Sequence, residues 1–423
     1  MSKRKHLIIG CGSAALSALK QIRKLGSEDE VKLVTMETYP PYSPMSLPYL
    51  LSGRRKDSEI YLTEGNFFED MNATLSTGRR VERIDTNNRS VIYDDKESET
   101  YDTLLIASGS EPVRPRIKGL DEAGFLGFHT LNDYRELDRL LKRETEVAIL
   151  GAGLVGMELA AALSQRGHKV TVLEKEKEVL PLSFDQSVGA FISHIFSGQG
   201  IDIFTGREVI EVKKAGNRLE VVCTNSDIFK ADLMVCCVGV ASRLSMLNGS
   251  GIKANRGVLV DNRMRTNIDG IYAAGDVAET VNFFTGKNDL NPILPSAVEQ
   301  GKIAGSNMIG EEALYDGWLP MNVYNFFGHF AVSIGEFEPS QGDQVLTEKD
   351  DDRSQYKKIV YRDDRIVGAN FFNIDLDAGV MKYLIRNRID IGPYKELLLE
   401  KPKETSLWLM LEAEKKDTIS LER

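Results

Sequence analysis

Two stretches of the chain carry small residues at a spacing suited to binding a diphosphate group. They are Gly10, Gly12 and Ala15 in the first stretch, and Gly151, Gly153 and Gly156 in the second. Each stretch follows an apolar run that predicts a buried strand. The first glycine permits a tight turn, the second lets backbone approach a pyrophosphate, and the third small residue lets the following helix pack on the strand. The phosphates then lie at the positive end of that helix, so the sequence predicts two dinucleotide-binding sites.

An acidic residue follows each glycine turn near the distance expected for a group that accepts hydrogen bonds from a ribose. Glu37 lies 37 − 10 = 27 positions after the first turn glycine, and Glu174 lies 174 − 151 = 23 positions after the second. The expected offset is about 20. A helix over residues 13–24 and another over residues 155–166 are predicted in between, each followed by a strand. This context disfavours the alternative of two unrelated glycine turns.

The acid after the second turn also bears on the choice of nicotinamide cofactor. A carboxylate at Glu174 favours NAD, because its charge repels the 2′-phosphate of NADP. Lys175 follows it directly and could meet such a phosphate, so NADP stays open as the alternative.

Composition narrows the class of protein. A chain of 423 residues predicts about two to three domains with sizeable cores. The net charge of −10 argues against a nucleic-acid partner. No apolar run approaches the roughly 18 residues that span a bilayer. The four cysteines form no Cys-x-x-Cys pair and the five histidines are scattered, which predicts no disulfide framework, no metal site and a cytoplasmic location.

Further strands and turns give the order of the architecture. An apolar strand that begins at Thr103 is expected to stop at a turn formed by Ser108 and Gly109, and the stretch over residues 266–276 is expected to be a strand ending in Gly275 and Asp276. Between them, residues 201–223 are strand-rich, and a buried strand is expected over residues 233–240, across Gly239. From residue 318 onward, an alternating run, a hairpin over residues 357–371 and a helix over residues 378–388 predict a small α+β domain.

Four motifs occur in a characteristic order: the first glycine turn, the turn at Ser108 and Gly109, the second glycine turn, and Gly275 with Asp276. In this order they resemble the pyridine-nucleotide flavoprotein oxidoreductases over about the first 310 residues. The resemblance implies an α/β fold with two Rossmann-like three-layer domains, in which an NAD-binding domain is inserted in an FAD-binding domain, plus a small α+β C-terminal interface domain. The expected boundaries are residues 1–117 and 250–317 for FAD, 118–249 for NAD and 318–423 for the interface domain. The tail is most similar to the nitrite-reductase and rubredoxin-reductase branch.

The same resemblance implies roles for single residues. For FAD these are Gly10, Gly12, Ala15, Glu37, Ser108, Gly109 and Asp276; for NAD they are Gly151, Gly153, Gly156, Glu174 and Gly239. Glu158 is expected near the nicotinamide, the alternative being a surface glutamate that favours the first turns of its helix. The helix around residues 297–305 would pass near the flavin ring. Ser242 and Arg243 depart from the Arg-Pro-Asn sequence usual in the family after the Gly239 turn.

The segment over residues 40–53 bears on where the electrons go. Met45 occupies the position where the similar segment of the CoA-disulfide-reductase and NADH-peroxidase branch carries a redox cysteine. A thioether cannot cycle between thiol, sulfenate and disulfide, and the Cys-x4-Cys pair of the glutathione-reductase type is absent. Cys223, Cys236 and Cys237 are expected to be core residues, and Cys11 is explained by the need for a small residue between the turn glycines. Reduction of disulfide or peroxide through an enzyme thiol is therefore disfavoured.

With FAD and NAD as its expected cofactors, the chain is predicted to be an FAD-dependent NAD(H) oxidoreductase whose electron acceptor is external. The natural partner is an iron–sulfur protein or a subunit of an oxidoreductase complex, because a flavin can release electrons singly. The segment over residues 40–53 also resembles that of a flavoprotein subunit of 2-oxoacid:acceptor complexes. The alternatives are a stand-alone NADH oxidase, a ferredoxin or rubredoxin reductase, a thiol-independent nitrite-reductase-like module that would need a sirohaem partner, a CoA-disulfide-reductase-like enzyme without its cysteine, and a non-enzymatic assembly protein.

Overall fold

The structure, a computed structural model, describes residues 3–421, which form two compact units. The first unit contains the described residues up to Val113, together with His129–Leu131 and Val240–Trp318. The second contains Arg114–Phe128, Asn132–Gly239 and the described residues from Leu319 onward. Each unit holds one of the two glycine-rich turns.

The described residues of the first unit form a parallel sheet of five strands. In spatial order these are Ile271–Ala273, Thr103–Ile106, Lys5–Ile9, Glu30–Val34 and Ala73–Ser76. The central strands are almost fully buried, as expected for continuous apolar runs in a parallel sheet. Because all five strands run the same way, their carboxyl ends lie along one edge. The Gly10 turn, Glu37, Ser108 and Asp276 all follow strand ends at this edge, which we call the first sheet edge.

Smaller elements complete the first unit. Its other strands are Val81–Asp85, Ser90–Tyr93 and Ser98–Thr100 in one antiparallel sheet, Ser110–Pro112 and Val240–Ser242 in another, and Val258–Leu259, Ala278–Val281 and Asn288–Asp289 in a third. Its α-helices are Ser13–Lys24, Leu47–Leu51, Phe67–Asp70 and Leu294–Met308, and 3-10 turns cover Pro44–Ser46, Asp57–Glu59 and Ser245–Leu247.

Two helices of the first unit pack with their backbones in close contact. Gly301 and Gly305 of the helix Leu294–Met308 lie against the backbone of Ala14 and Ala18 in the helix Ser13–Lys24. A Cβ at Gly301 would overlap the Ala14 carbonyl oxygen. Small residues on both helices therefore allow the helix Ser13–Lys24, which follows the first glycine turn, to pack closely against the helix Leu294–Met308.

We expect Gly301→Ala to destabilise the chain by about 1–3 kcal/mol, because the backbone it would strike cannot rotate away. Gly198→Ala is the matched control. It adds the same methyl group at the end of the helix Gln186–Gly198, where no atom lies within 4 Å of the added Cβ. Urea unfolding followed by circular dichroism measures both variants, and an equal change in the two would contradict the packing argument.

The described residues of the second unit form a parallel sheet of four strands and two antiparallel sheets. The parallel strands are, in spatial order, Ile201–Phe204, Lys169–Leu173, Glu146–Leu150 and Leu233–Cys236. One antiparallel sheet holds Val209–Ala215, Arg218–Cys223 and Ile228–Ala231; the other holds Met321–Phe326, His329–Gly335, Arg365–Phe372, Gln355–Arg362 and Gln344–Asp350. The α-helices are Leu120–Ala123, Leu131–Leu140, Leu154–Gln165, Gln186–Gly198, Ala378–Arg386, Lys395–Glu400 and Pro402–Leu421, with a 3-10 turn at Gly392–Tyr394.

A buried polar cluster joins the C-terminal antiparallel sheet to the helix Gln186–Gly198. Asp185 caps this helix by accepting a hydrogen bond from the Val188 N–H at 3.2 Å. Its other carboxylate oxygen accepts from the Tyr356 hydroxyl at 2.8 Å and lies 3.2 Å from the Lys358 ammonium. The Asp185 N–H donates to the side-chain oxygen of Asn370. Each polar group in this cluster has a partner, so the sheet is held by hydrogen bonds as well as by apolar packing.

The sequence predicted the main elements closely, although the strand expected over residues 266–276 is only Ile271–Ala273 and the helix expected over residues 378–388 ends at Arg386. The largest difference is at residues 233–240. The predicted single strand ends at Cys236, and a separate strand, Val240–Ser242, begins in the first unit. Gly239 between them has a φ of +114°, a conformation that interrupts a strand and favours glycine. The expected division into three domains is finer than the two units and stays a prediction.

Candidate functional site

The first glycine turn connects the central strand Lys5–Ile9 to the helix Ser13–Lys24. Gly10 has a φ of +111°, and a Cβ there would overlap the Ala107 carbonyl oxygen of the neighbouring strand. Its N–H donates to the Val34 carbonyl on the other side at 2.7 Å. A Cβ at Gly12 would meet no atom within 4 Å, and Ala15 is fully buried beneath the helix. The turn is thus held by both neighbouring strands and leaves open space at its second glycine.

The second glycine turn repeats this geometry in the second unit. Gly151 has a φ of +100°, its Cβ would overlap the Cys237 carbonyl oxygen, and its N–H donates to the Leu173 carbonyl at 2.8 Å. Gly153 faces open space, and a Cβ at Gly156 would overlap the Gly151 carbonyl oxygen. Glycine is therefore required at the first and third positions by close backbone approach.

The two helices after these turns begin without a side-chain cap. Gly12 and Gly153 occupy their N-cap positions, and neither helix has an acidic residue in its first turn. By contrast, Asp185 and Asp377 cap the helices that follow them. The first amides of a helix need acceptors, so these two helix starts suit an anionic ligand. The two uncapped helix starts at the glycine turns are therefore the feature that suits the chain to binding the phosphates of two dinucleotides.

The two candidate ribose-binding acids lie in different surroundings. Glu37 is partly exposed at the first sheet edge, where the Tyr42 hydroxyl donates to its carboxylate at 3.2 and 3.3 Å. Glu174 is only 7% exposed and accepts from the N–H of Ala152 at 2.7 Å and of Glu176 at 2.9 Å. The second acid thus closes its own glycine turn, whereas the first is oriented by a tyrosine.

Tyr42 is a residue that the sequence prediction missed. Its buried hydroxyl donates to Glu37 and also accepts from the N–H of Leu131 at 2.9 Å. We expect Tyr42→Phe to weaken FAD binding about 5- to 20-fold, because it removes the hydrogen bond that orients Glu37. Quenching of flavin fluorescence gives the dissociation constant.

Tyr93→Phe is the control for this prediction. It removes a hydroxyl that donates to another glutamate, Glu99, in a separate sheet of the same unit. Its FAD affinity should match that of the wild type. Equal affinities for Tyr42→Phe and the wild type would remove Tyr42 from the binding site.

Asp276 is held at the first sheet edge by three neighbouring groups. The Ser110 hydroxyl donates to its carboxylate at 2.9 Å, and the Ser242 hydroxyl donates to its backbone carbonyl at 2.9 Å. The preceding Gly275 N–H donates to the side-chain oxygen of Gln300 at 2.8 Å. Burial raises the pKa of the Asp276 carboxyl, while Ser110 and the charge of His129 act in the opposite direction. Ser110 and Gln300 carried no sequence signal beyond their nearness to the predicted turn and helix.

The raised pKa of Asp276 predicts a pH-dependent stability of the FAD-free protein. The pKa of Asp276 in the folded protein lies above its unfolded value of about 3.9. The free energy of unfolding therefore falls as the pH rises from the unfolded pKa to the folded pKa, which is a loss of stability. Asp276→Asn removes this loss. We therefore expect the variant to have the higher thermal midpoint at pH 7, with the difference vanishing below about pH 4. A difference that does not vary with pH would point to another cause.

The remaining predicted residues lie on two further turns and on one helix. Ser108 and Gly109 follow the strand Thr103–Ile106, and Gly109 has a φ of +68°. Gly239 follows the strand Leu233–Cys236 beside the second glycine turn. Glu158 is partly exposed on the helix Leu154–Gln165, two residues beyond Gly156. The roles assigned to these residues stay proposals.

The thiols lie in environments that suppress their reactivity. Burial raises the pKa of Cys11 and of Cys236 to about 12. It also raises the pKa of Cys223 and of Cys237, the latter with help from Cys236 and Asp133. All four are free thiols. Met45 is 59% exposed in the turn Pro44–Ser46. Since the thiolate is the reactive form, none of these sulfurs is poised for redox chemistry at neutral pH.

The described part of the chain lacks both a membrane-spanning helix and a metal-binding cluster. None of its helices is long and apolar enough to cross a bilayer. No three of its His, Cys, Asp and Glu side chains are grouped so that they could hold a metal ion.

Two parallel sheets, each with a glycine turn and an uncapped helix start, are typical of proteins that bind two dinucleotides. The chain matches the pyridine nucleotide-disulphide oxidoreductase family over residues 4–301 and the rubredoxin NAD+ reductase C-terminal domain over residues 320–389. The chain belongs to the pyridine nucleotide-disulphide oxidoreductase family.

Relatives cover nearly the whole chain. It is 33% identical over 404 residues to the NADH-dependent phenylglyoxylate dehydrogenase subunit epsilon of Aromatoleum evansii, covering 94% of this chain and 95% of that one. It is 27% identical to the assimilatory nitrate reductase electron transfer subunit of Bacillus subtilis, of which it spans about half, 51%. A chain in the crystal structure of the covalent putidaredoxin reductase–putidaredoxin complex has a similar fold, with a TM-score of 0.86 at 22% identity. The match covers 94% of this chain and 96% of that chain.

Several expectations from the sequence are thereby confirmed. The fold is α/β with Rossmann-like domains and a C-terminal domain, and the chain is an FAD-dependent NAD(H) oxidoreductase with FAD and NAD(H) as its cofactors. The assignment to the branch with rubredoxin-reductase-type C-terminal domains is confirmed as well.

Proposed function

We propose that the protein is an FAD-containing electron-transfer subunit that passes electrons between NAD(H) and an iron–sulfur partner. The observation that carries this proposal is the likeness, over almost the full length of both chains, to a subunit of an NADH-dependent dehydrogenase complex. The absence of a reactive sulfur at Met45 supports it, because electrons then have no route through an enzyme thiol.

The first sheet edge is proposed as the FAD site. The turn at Gly10 and Gly12, with Ala15 beneath it, would hold the pyrophosphate, and Glu37 would accept from the adenosine ribose. Asp276 would bind the ribityl or pyrophosphate part, with Ser108 and Gly109 beside it. Its hydrogen bonds to Ser110 and, through Gly275, to Gln300 fix the geometry before the cofactor arrives.

The second glycine turn is proposed as the NAD site. Gly151, Gly153 and Gly156 would accommodate the pyrophosphate, and Gly239 would leave room beside it. Glu174 would keep this turn closed by accepting from the Ala152 N–H. Its negative charge also disfavours the 2′-phosphate of NADP. Glu158 is proposed to orient the nicotinamide. When bound, FAD supplies the conversion between a two-electron hydride and single electrons, and the protein supplies binding and alignment.

Electron counting tests the absence of a thiol relay. We expect anaerobic titration with NADH or dithionite to bleach the flavin fully with two electrons per FAD, because no cysteine pair adds a second acceptor. Flavin absorbance near 450 nm gives the endpoint. Uptake of four electrons per FAD would show that a sulfur centre takes part, and protein that binds FAD but is not bleached by NADH would end the proposal.

We further propose that the partner subunits oxidise a 2-oxoacid, such as phenylglyoxylate, with CoA, and that electrons leave through this chain to NAD. Native purification with identification of copurifying subunits tests this. Recovery of the chain alone, with rapid NADH-dependent oxygen consumption, would favour a stand-alone NADH oxidase instead. The match to the rubredoxin NAD+ reductase C-terminal domain supports reduction of a small ferredoxin or rubredoxin as the second candidate.

The three-domain division is part of the proposal, with residues 1–117 and 250–317 for FAD, 118–249 for NAD and 318–423 as the interface domain. We also place the protein in the cytoplasm, since its four cysteines are free thiols.

A further inference from the structure

Arg243 extends across the first glycine turn. It follows the strand Val240–Ser242, and its backbone is fixed by two hydrogen bonds: its N–H donates to the Gly109 carbonyl at 3.1 Å, and its carbonyl accepts from the Ser108 hydroxyl at 3.3 Å. The side chain then donates from Nε to the Ser110 carbonyl at 2.8 Å. From Nη1 it reaches the Met36 sulfur at 2.9 Å.

These contacts place the guanidinium relative to the central strand. Ser110 follows the strand Thr103–Ile106 on one side of Lys5–Ile9, and Met36 follows the strand Glu30–Val34 on the other side. A side chain that touches both therefore bridges the carboxyl end of the central strand, where the Gly10 turn begins. In a parallel sheet of this type, that is the place where the diphosphate of a dinucleotide binds.

The guanidinium has donors to spare. One of its contacts is to a backbone carbonyl and the other to a thioether, which is a weak acceptor. Among the described residues, Arg243 forms no ion pair with a carboxylate, and its side chain donates to the Ser110 carbonyl and the Met36 sulfur. A cation without an ion-pair partner at the first sheet edge is suited to a dianion, and a planar guanidinium can bind phosphate oxygens through two parallel hydrogen bonds.

We propose that Arg243 binds the pyrophosphate of FAD and supplies its positive countercharge. This inference rests on the proposed FAD site at the first sheet edge and adds to it a residue 233 positions from Gly10 in the sequence. The glycine turn contributes amide dipoles, and Arg243 contributes the full charge. The departure from the family's usual sequence at residues 242–243 thus has a binding role.

The test measures affinity in FAD-free protein, with no need for turnover. Arg243→Gln removes the charge and Arg243→Lys keeps it without the planar fork, while Lys253→Gln removes the same charge from an exposed site of the same unit. Flavin fluorescence gives the dissociation constant of FAD, and displacement of FAD gives those of ADP and adenosine. ADP carries the pyrophosphate, and adenosine does not.

We expect Arg243→Gln to weaken FAD and ADP at least about 10-fold and to change adenosine less than 2-fold, with Arg243→Lys in between and Lys253→Gln unchanged. Should the Gln variant not fold, Arg243→Met keeps the apolar stem beside Met36 and takes its place. Unchanged FAD and ADP affinities, or an equal loss for adenosine, would overturn the role of Arg243 alone. A wild-type chain that binds no FAD would overturn the proposed function as well.

Discussion

The close approach of each turn glycine to the backbone of a neighbouring strand is the constraint on which both binding sites depend. At Gly10 the neighbour is the Ala107 carbonyl, and at Gly151 it is the Cys237 carbonyl. A side chain at either position would overlap a backbone carbonyl oxygen at the sheet edge where we propose that the phosphates bind. Positive φ angles at the same glycines add a second, independent reason for their identity. Fold and binding are therefore fixed by the same atoms.

From that common turn the two sites diverge in how their acids are held. Glu174 is buried and closes its turn through the Ala152 amide, so the second turn is held by a contact between the ends of two neighbouring strands, 22 residues apart in sequence. Glu37 is oriented by Tyr42, which also binds the Leu131 amide. The first site is thus assembled from segments far apart in sequence.

How much the sequence predicts follows from the range of each interaction. The helix Ser13–Lys24 and the turn glycines were predictable because spacing and conformational preference act locally. Tyr42 was not, since its partner Leu131 lies 89 residues away, nor was the contact between Arg243 and Met36 across 207 residues. The strand expected over residues 233–240 was overextended because apolar pattern continues through Gly239, while backbone conformation does not.

The environments of the sulfur atoms in this chain support the proposed role in electron transfer without an enzyme thiol. With Met45 at the exposed turn and burial raising the pKa of Cys11, we expect electrons that enter the flavin to leave to an outside acceptor. The proposed contact of Arg243 with the pyrophosphate would add a full positive charge to the noncovalent contacts that retain FAD.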